Sequence, residues 1–145
     1  ALKVAVKYLK KHDTPLLIYQ GRLNMLDRAP IEEGITDYCA KKGVGFIAFS
    51  PLAQGLLTDR YLNGIPADSR MGHGSSLKKE TLTPDLLDRL KQLNAAAESR
   101  GETLAEAALA WVLTQKGVTS VLVGASSTAQ LEKNLKCIGA EPALF

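Results

Sequence analysis

Phe46-Ile47-Ala48-Phe49-Ser50-Pro51-Leu52-Ala53-Gln54-Gly55-Leu56-Leu57 decides how the rest of the chain is read. Four apolar residues run without alternation into Ser50, the pattern of a strand buried on both faces, and Pro51 removes a ladder donor and stops it. Small residues follow. Ala53 and Gly55 are expected to leave backbone N–H groups uncovered, Ser50 and Gln54 add polar side chains, and Arg60 comes soon after. A loop of this kind at a strand's carboxyl end either holds a phosphate through backbone donors and a fixed cation, or is simply a strand end. The stretch alone leaves both readings open.

Length and composition narrow the setting. At 145 residues and 15.6 kDa the chain has the size of one domain with one core. It is 46% hydrophobic and 23% charged, which excludes disorder as a whole. A net charge of +3, with no stripe of Lys or Arg interleaved with aromatics, argues against nucleic acid and suits a small anionic ligand. Cys39 and Cys137 lie far apart without metal-ligand spacing and read as reduced, packed thiols of a cytoplasmic protein. No signal or membrane-spanning segment is visible. The amphipathic start Ala1–Lys11 lacks an initiator methionine, and the end Glu141–Phe145 stops on apolar residues, so both ends read as cut from a longer polypeptide.

Outward from the central stretch, the chain alternates. Residues 1–11 have helical spacing, closed by His12-Asp13-Thr14-Pro15. Leu16–Gln20 is expected to be a short buried strand, with Gln20 at its tip suited to a carboxamide or to capping a loop. A polar connector spans 21–29. Residues 30–42 read as one helix with proline in the first turn, acids early, lysines late and Gly43 as terminator.

After the central strand, 57–81 has no periodicity and is broken by Gly64, Pro66, Gly72, Gly74, Ser75 and Ser76; a connector this long is functional or mobile. Arg60 and Arg70 read equally as phosphate forks or solvated charges. A helix from Thr83-Pro84 to Gly101 buries Leu86, Leu87, Leu90, Leu93, Asn94 and Ala97. The apolar, alanine-rich helix 102–113 carries Trp111 as a core residue. Val118–Gly124 is a third buried strand. Its exit, Gly124-Ala125-Ser126-Ser127, leads into a helix with Gln130, Lys133 and Asn134 on one side, an N-terminus suited to an anion or simply a capped helix.

This is a parallel α/β alternation, compatible with an open sheet or a closed barrel. Ile47–Thr58, Tyr61–Pro66 with Ser69-Arg70, and Ser120–Ser126 with Gln130-Leu131-Glu132-Lys133-Asn134 together resemble the carboxyl-terminal half of aldo-keto reductases. The likeness covers nearly the whole chain. It is greatest to the branch holding the bacterial L-glyceraldehyde-3-phosphate reductase and the potassium-channel β subunits.

The resemblance implies that residues 1–145 are the carboxyl-terminal part of one (β/α)₈ TIM-barrel domain, strands six to eight with their helices. By that likeness the cofactor is NADP: Gln20 holds the nicotinamide carboxamide and Phe49 lies against its ring. Ser50, Leu52, Gln54 and Arg60 line the pyrophosphate, with Pro51 and Gly55 also among the cofactor-binding residues; Arg70, Gly124, Ser126 and Gln130 hold the 2′-phosphate region; Lys133 and Asn134 flank adenine. Phe49 replaces the tryptophan or tyrosine of many relatives, and Lys133 stands where glutamate is common, which favours NADP. The family's Asp, Tyr, Lys and His tetrad belongs to earlier strands and has no match here, so no catalytic residue is assigned and the chain alone is expected to be inactive. The complete enzyme would reduce a small or phosphorylated aldehyde such as glyceraldehyde 3-phosphate or methylglyoxal. The alternative is a non-catalytic nucleotide-sensing subunit like the channel β subunits. No metal and no membrane insertion are implied, and strands cut from a barrel leave edges through which a homo-oligomer would form.

Overall fold

The computed structural model describes residues 1–74 and 76–139; Ser75 and residues 140–145, including the apolar end 141–145, lie outside the described residues. Three strands, β1 (Ile18–Arg22), β2 (Gly45–Phe49) and β3 (Val118–Val121), form one parallel sheet in the order β1-β2-β3. Among the described residues six α-helices accompany them: α1 (Leu2–Lys11), α2 (Ala29–Glu32), α3 (Ile35–Lys42), α4 (Pro84–Glu98), α5 (Leu104–Thr114) and α6 (Thr128–Leu135).

Among the described residues the sheet is covered on one face only. Phe46 and Ala48 are fully buried, in a core with Cys39 of α3, Leu90 of α4 and Ala108, Trp111 and Val112 of α5. Side chains alternate along a strand. Ile47 and Phe49 therefore face the other way, half-exposed, together with Gln20 and Arg22 of β1, since Gln20 pairs with Ile47 and Arg22 with Phe49. This corrects the expectation of a central strand buried on both sides: an uninterrupted apolar run records what a strand is built to bury, and these residues cover only one face.

The outer strands depart from expectation for the same reason. The first begins two residues later than read, and Leu17 and Ile18 are 72% and 53% exposed. Likewise β3 is four residues long, and Leu122 and Val123 beyond it are exposed. Each has a sheet edge and one face without cover. Between Phe46 and Ile47 the register with β3 slips by one residue, and the extra residue, Thr119, accepts the Phe46 N–H on its Oγ1 at 3.1 Å. The bulge therefore costs no ladder donor.

The helix expected over 30–42 is two, because Gly34 adopts φ 68°, a left-handed conformation that ends α2 and starts α3. Gly43 closes α3 in the same way, as expected. Helix α4 starts at Thr83, whose hydroxyl accepts the Leu86 N–H, and buries Leu90 and Ala97. Helix α5 opens with a capping box: Thr103 accepts from the Glu106 N–H, and Glu106 accepts from the Thr103 N–H at 2.7 Å. Trp111 is core, with the Arg28 guanidinium 4.8 Å from its ring centre. The aperiodic segment after β2 is not a loose lid, for Leu57, Tyr61, Met71 and Leu77 are all core residues. Both cysteines are buried, and desolvation pushes their thiols up, away from reactivity.

Two consequences are measurable. Gly117 turns the chain from α5 into β3 at φ 87°, and a Cβ there would overlap the Thr36 carbonyl oxygen. Gly117→Ala is expected to lose about 2–4 kcal/mol, roughly 1 from left-handed strain and roughly 1–3 from crowding; an unchanged urea midpoint would contradict this. Burial raises the Glu106 carboxyl, but the Thr103 N–H and hydroxyl, with Lys136 and Lys133, outweigh it and hold the group below the ordinary 4.5. A carboxyl lowered in the folded state contributes stability that is complete above its unfolded value and fades as pH falls through the folded one. The stability gap between the native chain and Glu106→Gln is therefore expected to be constant at neutral pH and to close on acidification below about pH 4.5.

Candidate functional site

Parallel pairing puts the carboxyl ends of β2 and β3 side by side, and the ladder continues past β3 with Leu122 N–H donating to Ala48 O at 2.8 Å. The two exits therefore open into one cleft of about 1110 Å³, bounded by the turn 50–55, the segment around Arg60 to Arg70, the start of α5 and residues 122–134. Ser50 and Ser126 both line it. So do Pro51, Leu52, Gln54, Gly55, Arg60, Arg70, Gly124, Gln130, Lys133 and Asn134. Gln20 and Phe49 do not; they lie on the open face of the sheet, where the Arg22 guanidinium stands 5.8 Å from the Phe49 ring centre.

The turn after β2 is strained. Ser50, Ala53 and Gln54 take φ of 53°, 47° and 61°, all left-handed without being glycine, and Gly55 follows at 100°. Each of the three costs roughly 1 kcal/mol. The turn persists because it is braced from both sides. Leu56 and Leu57 are buried just after it, Thr58 donates from Oγ1 to Gly55 O at 2.7 Å, and Asn24 donates from Nδ2 to Ser50 O at 3.0 Å. Asn24, 2% exposed, also accepts the Leu26 and Asp27 N–H groups on Oδ1 at 2.9 Å, so its amide joins the exit of β1 to the exit of β2. No functional role was expected for it. The Asn24-Met25-Leu26-Asp27 spacing signals such an Asx turn, though not the long-range bond to Ser50.

One expectation fails here. The N–H groups of Ala53 and Gly55, read as open to an anion, donate to Ser50 O at 3.0 Å and Leu52 O at 2.8 Å, because the turn folds back on itself through short-range bonds on both sides of a kink at Gln54. These two N–H groups are therefore not open to an anion.

Those side chains are engaged with one another. Gln54 Oε1 accepts from Ser76 Oγ at 2.6 Å, tying the long segment to the strained turn. Gln130 Oε1 accepts from both the N–H and the hydroxyl of Ser126, at 2.7 and 2.9 Å, while Ser127 caps α6. Arg60 donates from Nη2 to Asp68 Oδ2 at 2.8 Å and to Asp68 O at 3.0 Å. Asn134 differs from its neighbours on α6: it is 5% exposed, and among the described residues its Nδ2 has no hydrogen-bond partner. A buried, unsatisfied amide donor costs about 1–3 kcal/mol. The ionic lining is balanced, with Arg60, Arg70 and Lys133 against Asp59, Asp68 and Glu106.

Comparison with known proteins identifies the family. A profile of the aldo/keto reductase family matches residues 2–141. The chain is 47% identical over 138 residues to the L-glyceraldehyde 3-phosphate reductase of Escherichia coli strain K12, covering 92% of this chain and 40% of that protein. It is 34% identical over 131 residues to a probable voltage-gated potassium channel subunit beta of Arabidopsis thaliana, covering 88% and 40% respectively. The chain thus spans about two fifths of the length of these relatives. In fold it is similar to a thermostable aldo-keto reductase solved with the inhibitor epalrestat, at a TM-score of 0.64 and 23% identity over 95% of this chain and 40% of that one. By its profile match over residues 2–141, the chain belongs to the aldo/keto reductase family.

Proposed function

We propose that residues 1–145 supply strands six to eight of a (β/α)₈ barrel and that their cleft takes the diphosphate and ribose-phosphate end of NADPH. The complete protein, placed in the cytoplasm, then reduces a small or phosphorylated aldehyde. The observation that carries this reading is the shared cleft: Ser50 and Ser126, from the exits of different strands, line one hollow that also holds Arg60, Arg70 and an unsatisfied buried Asn134 amide. Phosphate sites of such barrels lie beyond the last strands. The strained turn adds to it, since strain of this kind collects at ligand clamps.

Each part of the chain has a task in that reading. Arg60 and the Ser50–Gly55 turn hold the pyrophosphate, and Arg70, with Gly124, Ser126 and Gln130, holds the 2′-phosphate. Asn134 gives its buried N–H to a ring nitrogen of adenine beside Lys133. On the open face, Gln20 offers donor and acceptor to a carboxamide, and Phe49 offers a flat ring. Bound NADPH supplies the hydride; the chain's own residues orient it and screen it from water. The proton-donating tetrad implied by the family lies outside these residues. A phosphorylated aldehyde is favoured by the name of the E. coli relative, and a regulatory role by that of the A. thaliana relative at lower identity. The exposed strands β1 and β3 suit either completion of the barrel or pairing of two copies.

Isothermal titration tests the central claim. NADPH is expected to bind the chain, and NADH at least about tenfold more weakly, the worth of a charge-assisted contact to the 2′-phosphate. The chain alone is expected to show no NADPH-dependent turnover of methylglyoxal. Absence of binding, or equal binding of the two nucleotides, would sink the assignment. Asn24→Asp keeps the acceptor for Leu26 and Asp27 but replaces the donor to Ser50 O; it is expected to lose about 1–3 kcal/mol of stability and to weaken NADPH binding. Unchanged affinity in a folded variant would show that the turn needs no brace.

A further inference from the structure

We infer that Asp68 is a specificity residue: its carboxylate occupies the phosphate position on Arg60 and must be displaced before a nucleotide diphosphate binds. The inference rests on the nucleotide reading of the cleft. Both residues line the hollow, eight positions apart in the segment after β2, and Arg60 gives one nitrogen to both the Asp68 carboxylate and the Asp68 carbonyl. A carboxylate oxygen 2.8 Å from a guanidinium nitrogen has the charge and distance of a phosphate oxygen there.

The balance of the lining gives the pair its meaning. Three cations face three carboxylates, so the cleft has no surplus charge to draw in an anion. Of the carboxylates, Glu106 is committed to capping α5 and to Lys136, and Asp59 lies at the start of a 3₁₀ turn. Asp68 alone among these three is bonded to Arg60 in the described contacts. Its side chain is 80% exposed, so it is free to swing into solvent when a stronger anion arrives. The exchange raises the threshold for weak, singly charged anions, which meet a competitor of equal charge already tethered in place. A diphosphate outbids a carboxylate by charge and by number of acceptors.

The opposite role, a brace that orders the segment, predicts the opposite sign, and the experiment is built on that. NADPH and, separately, inorganic pyrophosphate are titrated calorimetrically into the chain, Asp68→Asn, Arg60→Gln and the double variant. Asparagine keeps an acceptor for Arg60 and removes only the charge. Asp68→Asn is expected to bind NADPH about three- to fivefold tighter, the most that release of an exposed pair supplies, with a parallel gain for pyrophosphate. The gain is expected to vanish in the Arg60→Gln background, as a double-mutant cycle requires of a direct pair. Equal or weaker binding by Asp68→Asn while the native chain binds NADPH overturns the inference and leaves the nucleotide reading standing. A gain that persists without Arg60 overturns it as well, since the effect would then be general electrostatics. Failure of the native chain to bind NADPH removes the nucleotide reading, and this inference with it.

Discussion

The ladder between β2 and β3 is the constraint on which the rest depends. Parallel strands send both their carboxyl ends to the same side, and the bonds from Phe46 to Thr119 and from Leu122 to Ala48 fix how far each exit protrudes. Had β3 run antiparallel, residues 124–134 would leave from the opposite end and Ser126 would never meet Ser50. The bulge at Thr119 matters for the same reason, since one residue of slip reverses which side chains face the helices. Phe46 and Ala48 stay on the covered face on either side of it.

Much of this was legible in residues. The alternation of strand and helix, Thr83 as a cap, Gly43 as a terminator and Trp111 in the core all follow from local rules, and the structure agrees. What local rules miss is whatever depends on a partner. Apolar runs at 16–20 and 46–49 announced burial, but burial needs a second surface, and Leu17 and Ile18 have none among the described residues. Gly34 sat inside a convincing helical pattern that one left-handed residue broke.

The site shows the same division. Its residue types and their order were readable, and all the expected ones except Gln20 and Phe49 line one cleft. Their mutual bonds were not readable. Asn24 reaches Ser50 across 26 positions, Gln54 meets Ser76, and Arg60 meets Asp68 inside a stretch with no periodic signal. The N–H groups of Ala53 and Gly55 were misassigned because a sequence tells which donors lack a bulky neighbour and not which have turned inward.

The left-handed run at Ser50, Ala53 and Gln54 has a consequence for how this surface evolves. Glycine at any of the three would be easier on the backbone, so drift toward stability alone pushes these positions toward a plainer sequence. Keeping side chains there amounts to a standing tension between a fold that would relax and a contour that has to be kept. A lineage released from that second demand would be expected to lose its memory of the shape at these codons first, well before the core beneath them changed.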